Sequence, residues 1–215
     1  MRIAAVLLWL LPAAQASAQD LETKLVVTQE GRETGREEFT LRQGRGRGAP
    51  GSTLIAVARY PATNPLLKLA ATLERTSEFA LAKFQLEVEG PNGTTVILAA
   101  GSGARLIVRT VAKGSEAGRE LPGGPDVVLL DDSVYSLYTA VADLATPAGK
   151  SLTGVFPRTG RRASFVARRD GAGGNGSTRV TLSGDISGTL ATDSKGRLQR
   201  LEFPSSALLV TRAKD

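Results

Sequence analysis

Apolar and polar residues alternate along most of this chain in short runs separated by Gly, Pro, Asn and Ser. A period of two turns one side of a segment to a core and the other to water, which is the mark of antiparallel strands. The clearest run is 83–89, where Phe84, Leu86 and Val88 share one face and Lys83, Gln85, Glu87 and Glu89 share the other. It ends at Gly90-Pro91-Asn92-Gly93, whose Asn-Gly signals a hairpin. Further strands are expected near 22–29, 34–42, 52–60, 70–78, 94–100, 105–111, 126–130, 151–157, 161–169, 177–183, 186–192, 197–203 and 206–212. Neighbours in sequence should mostly be neighbours in space.

One segment departs from this period. In 131–144, DDSVYSLYTAVADL, the residues Val134, Leu137, Tyr138, Val141 and Leu144 recur at helical spacing. The pattern predicts an amphipathic helix with Asp131 or Asp132 capping its first turn and with Pro147 and Gly149 beyond its end. So short a one-sided helix is marginal alone and must dock, and the apolar face of the sheet is the available partner. The expected fold is therefore mainly β, an antiparallel open half-barrel of about a dozen strands with one amphipathic helix on its concave face. A closed barrel of lipocalin type is the alternative, because strand number alone does not separate open from closed. Val134, Leu137, Tyr138, Val141 and Leu144 then serve either as core packing or as the lining of a ligand cleft.

The charged stretch 30–48, EGRETGREEFTLRQGRGRG, fits the same scheme. Leu25 and Val27 before Glu30-Gly31, and Phe39 and Leu41 after it, alternate as two strands joined at that glycine. Glu37 shares parity with Phe39 and Leu41, so it sits at the rim beside Gly35 or points inward and pairs with a buried arginine. Arg75, in parity with Leu73 and Phe79, is the candidate partner. Residues 43–51 read as a flexible loop with solvated arginines.

Charge is unevenly spread: residues 19–150 carry 15 Lys+Arg against 16 Asp+Glu, whereas 151–215 carry 11 against 5. In the hairpin around 158–169, Arg162 and Arg168 share a face with Ser164 and Val166, opposite Ala163, Phe165 and Ala167. They are the candidate anion-binding pair, suited to anionic lipid headgroups or acidic glycans, with a solvated surface as the plainer reading. Nucleic acid is excluded as a partner by expected export and by the scarcity of aromatic residues, 5% of the chain.

The first residues supply that export signal. Met1-Arg2, an apolar run at 3–11 and Ala16-Ser17-Ala18 form a secretory signal peptide over 1–18. A single β-rich domain over 19–215 is expected, periplasmic or secreted, without a lipid anchor. The apolar run is too short to span a bilayer, which takes about 20 residues. With neither His nor Cys in the chain, Cys/His zinc sites and histidine-activated nucleophiles are excluded. The adjacent carboxylates Glu37-Glu38 and Asp131-Asp132 point to opposite faces if extended and do not converge on one bond. The expectation is a protein that is not an enzyme and carries no metal and no cofactor.

The signal peptide, the opening hairpin with Gly31 and Gly35 before Glu37-x-Phe39, the LLDDSVYSLY segment and the closing Gly196-Arg197-Leu198 strand ahead of Pro204 together define a layout over residues 21–212. In that layout the chain resembles the half-barrel scaffold of periplasmic lipoprotein carriers and related bacterial envelope proteins. The resemblance implies a hydrophobic cleft for acyl chains, and hence a lipid or lipoprotein ligand. The carriers have a multi-helix lid where this chain has one helix. Two readings follow: a binder of a lipid-like ligand in the concave face of the sheet, whose mark is an apolar cleft beneath the helix, or a structural or interaction module of the cell envelope, whose mark is a packed interior.

Overall fold

The protein is described as a computed structural model covering residues 22–172 and 176–213. The expected signal peptide and its cleavage after Ala18 lie outside the described residues. The strands are β1 (Thr23–Gln29), β2 (Arg32–Gln43), β3 (Ser52–Tyr60), β4 (Leu67–Arg75), β5 (Leu81–Gly90), β6 (Gly93–Ser102), β7 (Arg105–Ala112), β8 (Ser115–Pro122), β9 (Val127–Leu129), β10 (Lys150–Phe156), β11 (Arg161–Ala172), β12 (Thr178–Gly184), β13 (Gly188–Thr192), β14 (Leu198–Phe203) and β15 (Leu208–Arg212). They form one 15-stranded sheet in the order β8-β7-β6-β5-β4-β3-β2-β1-β15-β14-β13-β12-β11-β10-β9. All neighbours are antiparallel except β9 and β10.

The sheet is open, with β8 and β9 at its edges. Yet these edges are consecutive in the chain, joined only by residues 123–126, so the sheet has to curl back on itself. From the middle of β8, Arg119 donates to the Pro157 carbonyl in the β10–β11 turn. The end carrying the 30–31, 61–66 and 157–160 turns is called the upper rim below, and the end carrying the 44–51, 76–80 and 193–197 connections the lower rim.

Strand alternation builds the wall as expected. Leu25, Val27, Phe39, Leu54, Leu69, Phe84, Leu86, Ile97 and Val108 are all buried on the inner side. The first hairpin turns at Glu30-Gly31, both left-handed at φ 52° and 77°, the conformation that a two-residue turn between twisted strands requires. The β5–β6 hairpin turns at Pro91-Asn92, with Gly90 paired to Gly93.

Two expectations need correction. Strand β8 was not predicted, because SEAGRELP is exposed at every position but Leu121; an edge strand with no buried face carries no alternation to read. The 43–51 connection is ordered by its own bonds: Gly44 N–H to the Gly51 carbonyl at 2.7 Å, Arg45 N–H to the Ala49 carbonyl at 2.9 Å and Thr53 Oγ1 to the Gly44 carbonyl at 2.7 Å.

The expected helix is also shorter and more enclosed than its pattern implied. A 3-10 turn at Tyr135–Tyr138 leads into α1 (Thr139–Leu144). Every residue from Val134 to Ala142 is buried, including Ser136 and Thr139 on the nominally polar side. The segment lies on the concave face of the open sheet, as expected, against β2 and β11 to β14, and the curl of the sheet buries its nominally polar side as well. The small inward side chains Ala56, Ala58, Ala71, Ala163 and Ala167 are all buried and leave the interior room for this segment.

Candidate functional site

The polar chemistry of the interior gathers at the two ends of the internal segment. At its start, Glu37 of β2 reaches inward with no exposed surface. Its carboxylate accepts the N–H groups of Tyr135 at 2.7 Å and Ser136 at 3.0 Å. These are unpaired donors of a first helical turn, where a negative charge also meets the positive end of the backbone dipoles. The cap thus comes from a strand 98 residues away, not from Asp131 or Asp132. Burial pushes the Glu37 carboxyl up to about 7, against the lowering effect of the Ser136 and Tyr135 hydrogen bonds.

Asp131, 1% exposed, accepts two bonds from Arg158, from Nε and Nη2, each at 2.9 Å. It also accepts the Ser133 N–H at 2.8 Å, closing a tight turn. Asp132 instead faces out and pairs with Arg161 at 2.6 Å, whose guanidinium stacks 3.4 Å above the Phe156 ring. Tyr60, at the end of β3, donates its hydroxyl to the Ser133 carbonyl at 2.9 Å. Its ring occupies the space beside Gly35, where an added Cβ would lie 2.2 Å from it. Burial pushes the Tyr60 and Tyr135 phenols up, so both remain neutral donors.

At the far end of the segment, Asp143 pairs with Arg75, the last residue of β4. Arg75 is 5% exposed, and its Nη1 has no hydrogen-bond partner among the described residues. Its guanidinium lies 5.6 Å from the ring of Phe79. A cavity of about 270 Å³ opens beside this pair on the lower rim, walled by Leu41, Gln43, Ser77, Phe79 and the 195–196 turn.

The expected Glu37–Arg75 ion pair is therefore corrected: both side chains point inward, but each serves a different end of the internal segment. Sheet register explains why. Glu37 pairs with Ala58, which pairs with Leu69, whereas Arg75 pairs with Ser52, which pairs with Gln43. The two are thus offset by six residues along the strands, or roughly 20 Å at the rise of an extended chain.

Of the residues expected to line a cleft, Val134, Leu137 and Val141 are fully buried in the core, and Leu144 packs partly buried against it. Tyr138, 3% exposed, packs on Phe203 with ring centroids 5.4 Å apart and borders a polar cavity of about 190 Å³ shared with Asp132 and Arg161. Arg162 and Arg168 stand exposed on the outer face of β11, with Ala163, Phe165 and Ala167 turned to the core. Arg168 pairs with Asp170 at 3.2 Å.

Three anchoring contacts are not legible in the sequence: Tyr60 to Ser133, Arg158 to Asp131 and Arg75 to Asp143. They join positions 73, 27 and 68 residues apart, and local pattern carries no signal for such pairings. Gly35 was noted, but a lone glycine in a strand does not reveal which ring fills its space.

No family model matches the chain, and no curated protein matches it in sequence. Its fold is similar to a β-barrel-like protein of the domain of unknown function DUF1849 from Brucella abortus, at TM-score 0.52 and 10% identity over 90% of this chain and 94% of that one. A DUF1089 family protein from Pseudomonas aeruginosa aligns at TM-score 0.46 and 12% identity, over 96% of this chain and 97% of that one. The first of these likenesses concerns architecture alone: a mostly β, barrel-like molecule built on an open sheet.

Proposed function

We propose that this protein is an exported interaction module of the bacterial cell envelope, which uses its outer surface and rims while its own chain fills the barrel. The observation that carries this reading is the burial of Val134, Leu137 and Val141 inside the core, where a carrier of acyl chains would need them to line an open cleft. Buried anchors at both ends of the segment, Glu37 with Asp131–Arg158 above and Arg75–Asp143 below, support a fixed filling over a lid that swings out. Export rests on the signal sequence at 1–18.

Native mass spectrometry of gently purified protein tests it. The expected mass is that of the bare chain beginning at Gln19; a stoichiometric lipid adduct would instead make it a lipid carrier, and a retained Met1 would remove the export step. The outer face supports one finer reading. Arg162 and Arg168 project from the same side of β11, and each exposed arginine near an anionic bilayer contributes about 1 kcal/mol. Co-sedimentation with anionic vesicles should therefore weaken by roughly tenfold in Arg162→Gln/Arg168→Gln, and equal binding by the variant would leave these arginines as ordinary surface.

A further inference from the structure

Among the described residues, three guanidinium groups keep a buried nitrogen without a partner, those of Arg75, Arg169 and Arg212, and of these Arg75 lines the lower-rim cavity. Arg75 gives one nitrogen to Asp143, lies under the Phe79 ring and keeps Nη1 unpaired among the described residues. A desolvated guanidinium N–H without a partner is unfavourable, and such groups in native structures call for an acceptor. The rest of the lining is mixed: Leu41 and the 43% exposed Phe79 are its apolar members, beside Gln43, Ser52, Thr76 and Ser77. Phe79 holds a left-handed φ of 64°, a strained conformation for an aromatic residue, kept by its N–H bond to Thr76 and the Thr76 N–H bond to Ala80. The turn thus keeps a ring at the entrance at a conformational cost that the core does not require.

Charge in the cavity is asymmetric. Asp143 is neutralised by Arg75, which leaves Lys195 as a surplus cation among the lining residues. The Lys195 turn is itself fixed, because Asp193 accepts the N–H groups of Lys195 and Arg197 at 3.0 and 2.9 Å and pairs with Arg197 and Arg212. A volume of about 270 Å³ holds roughly nine waters, or a small molecule with about as many heavy atoms.

We infer that this cavity binds a small organic carboxylate bearing an apolar or aromatic body. The carboxylate pairs with the edge of the Arg75 guanidinium that lines the cavity, Lys195 supplies the second positive contact, and the apolar body rests on Phe79 and Leu41. Planar guanidinium and carboxylate groups match in geometry and form strong charge-assisted bonds. The site is separate from the barrel interior, so it stands whether or not the outer surface is an interaction module.

Phenylacetate is a suitable probe, with phenylacetamide as its uncharged counterpart and inorganic phosphate as an anion without an apolar body. In a titration followed by backbone and arginine side-chain NMR, phenylacetate should give saturable shifts confined to Arg75, residues 76–80 and Lys195. Phenylacetamide should bind at least about tenfold more weakly, as should phosphate, since each lacks one half of the recognition. Arg75→Gln should abolish binding but also removes an anchor of the internal segment. Phe79→Ala and Lys195→Gln change exposed side chains only, and each should weaken binding by about threefold to tenfold with an unchanged melting temperature. Phenylacetate and phenylacetamide binding equally, shifts scattered over other surfaces, or both exposed variants binding like the parent would each overturn the assignment.

Discussion

The two ends of the internal segment are anchored by the same residue types with opposite thoroughness. At the upper end every charge is matched: Glu37 takes two backbone donors, and Asp131 takes a two-point contact from Arg158 and a third bond from Ser133. At the lower end Arg75 makes a single contact with Asp143, whose side chain is 26% exposed, and one of its nitrogens is orphaned beside a cavity. Charged groups that are all hydrogen-bonded rigidify a buried network, even though Ser136 Oγ at the upper end has no partner among the described residues, whereas a half-satisfied ion pair is a weak stabiliser. The upper end therefore reads as a clamp that fixes where the segment enters, and the lower end as a place where stability was given up for an unfilled bond.

The sharpest way to break this comparison is Arg158→Ala. It strands the Asp131 carboxylate, 1% exposed, without its partner, and removing one member of a buried pair costs about 3–5 kcal/mol. For a domain of this size the melting temperature should fall by on the order of 10 °C. A fall of only a degree or two in thermal unfolding would mean that the upper clamp holds nothing.

The second effect is a pH dependence centred on Glu37. Its carboxyl is raised from 4.5 to about 7 by burial, so between these values the unfolded chain has lost a proton that the folded chain keeps. Stability is then full below about pH 4.5 and declines as pH rises towards 7, by about 3 kcal/mol in total. Glu37→Gln should flatten this slope, measured by denaturant unfolding across pH 4.5–7.5. Parallel curves for parent and variant would place the titration elsewhere.

Much of this could be read from the chain, and the limits have physical causes. The turn at Glu30-Gly31, the inward parity of Glu37 and Arg75 and the outward face of Arg162 and Arg168 all follow from a period of two, which is local. The helical spacing of 134–144 was equally plain. That Ser136 and Thr139 would be buried too was not, because a segment on a flat face and one enclosed by the curl of the sheet share the same apolar stripe. Partners were illegible wherever they depend on register across several strands: Glu37 and Arg75 have the right parity to meet, and only the pairing through β3 shows them far apart. Strand β8 carries no alternation to read because only Leu121 is turned from solvent, and that partly.

A smaller effect separates the clamp's charged core from its periphery. Tyr60→Phe removes the bond to the Ser133 carbonyl but keeps the ring that fills the space beside Gly35. The loss should be about 1 kcal/mol, a few degrees in melting temperature. If the variant lost as much as Arg158→Ala, the hydroxyl would belong to the core of the clamp.

The smallest change is expected at the lower end, and it completes the comparison. Arg75→Met/Asp143→Asn removes both charges together, so neither is stranded, and the unbranched apolar chain of Met can follow the path of the arginine stem. Replacing a buried ion pair by less polar residues of similar volume is often neutral or stabilising, and here the orphaned Nη1 and its desolvation vanish as well. The double variant should stay within about 1 kcal/mol of the parent by denaturant unfolding, whereas Arg75→Met alone leaves Asp143 unpaired and part-buried and should be the less stable of the two. A loss for the double variant as large as that of Arg158→Ala would make the two ends equivalent clamps, and the unpaired nitrogen would then be a minor defect in a strong anchor.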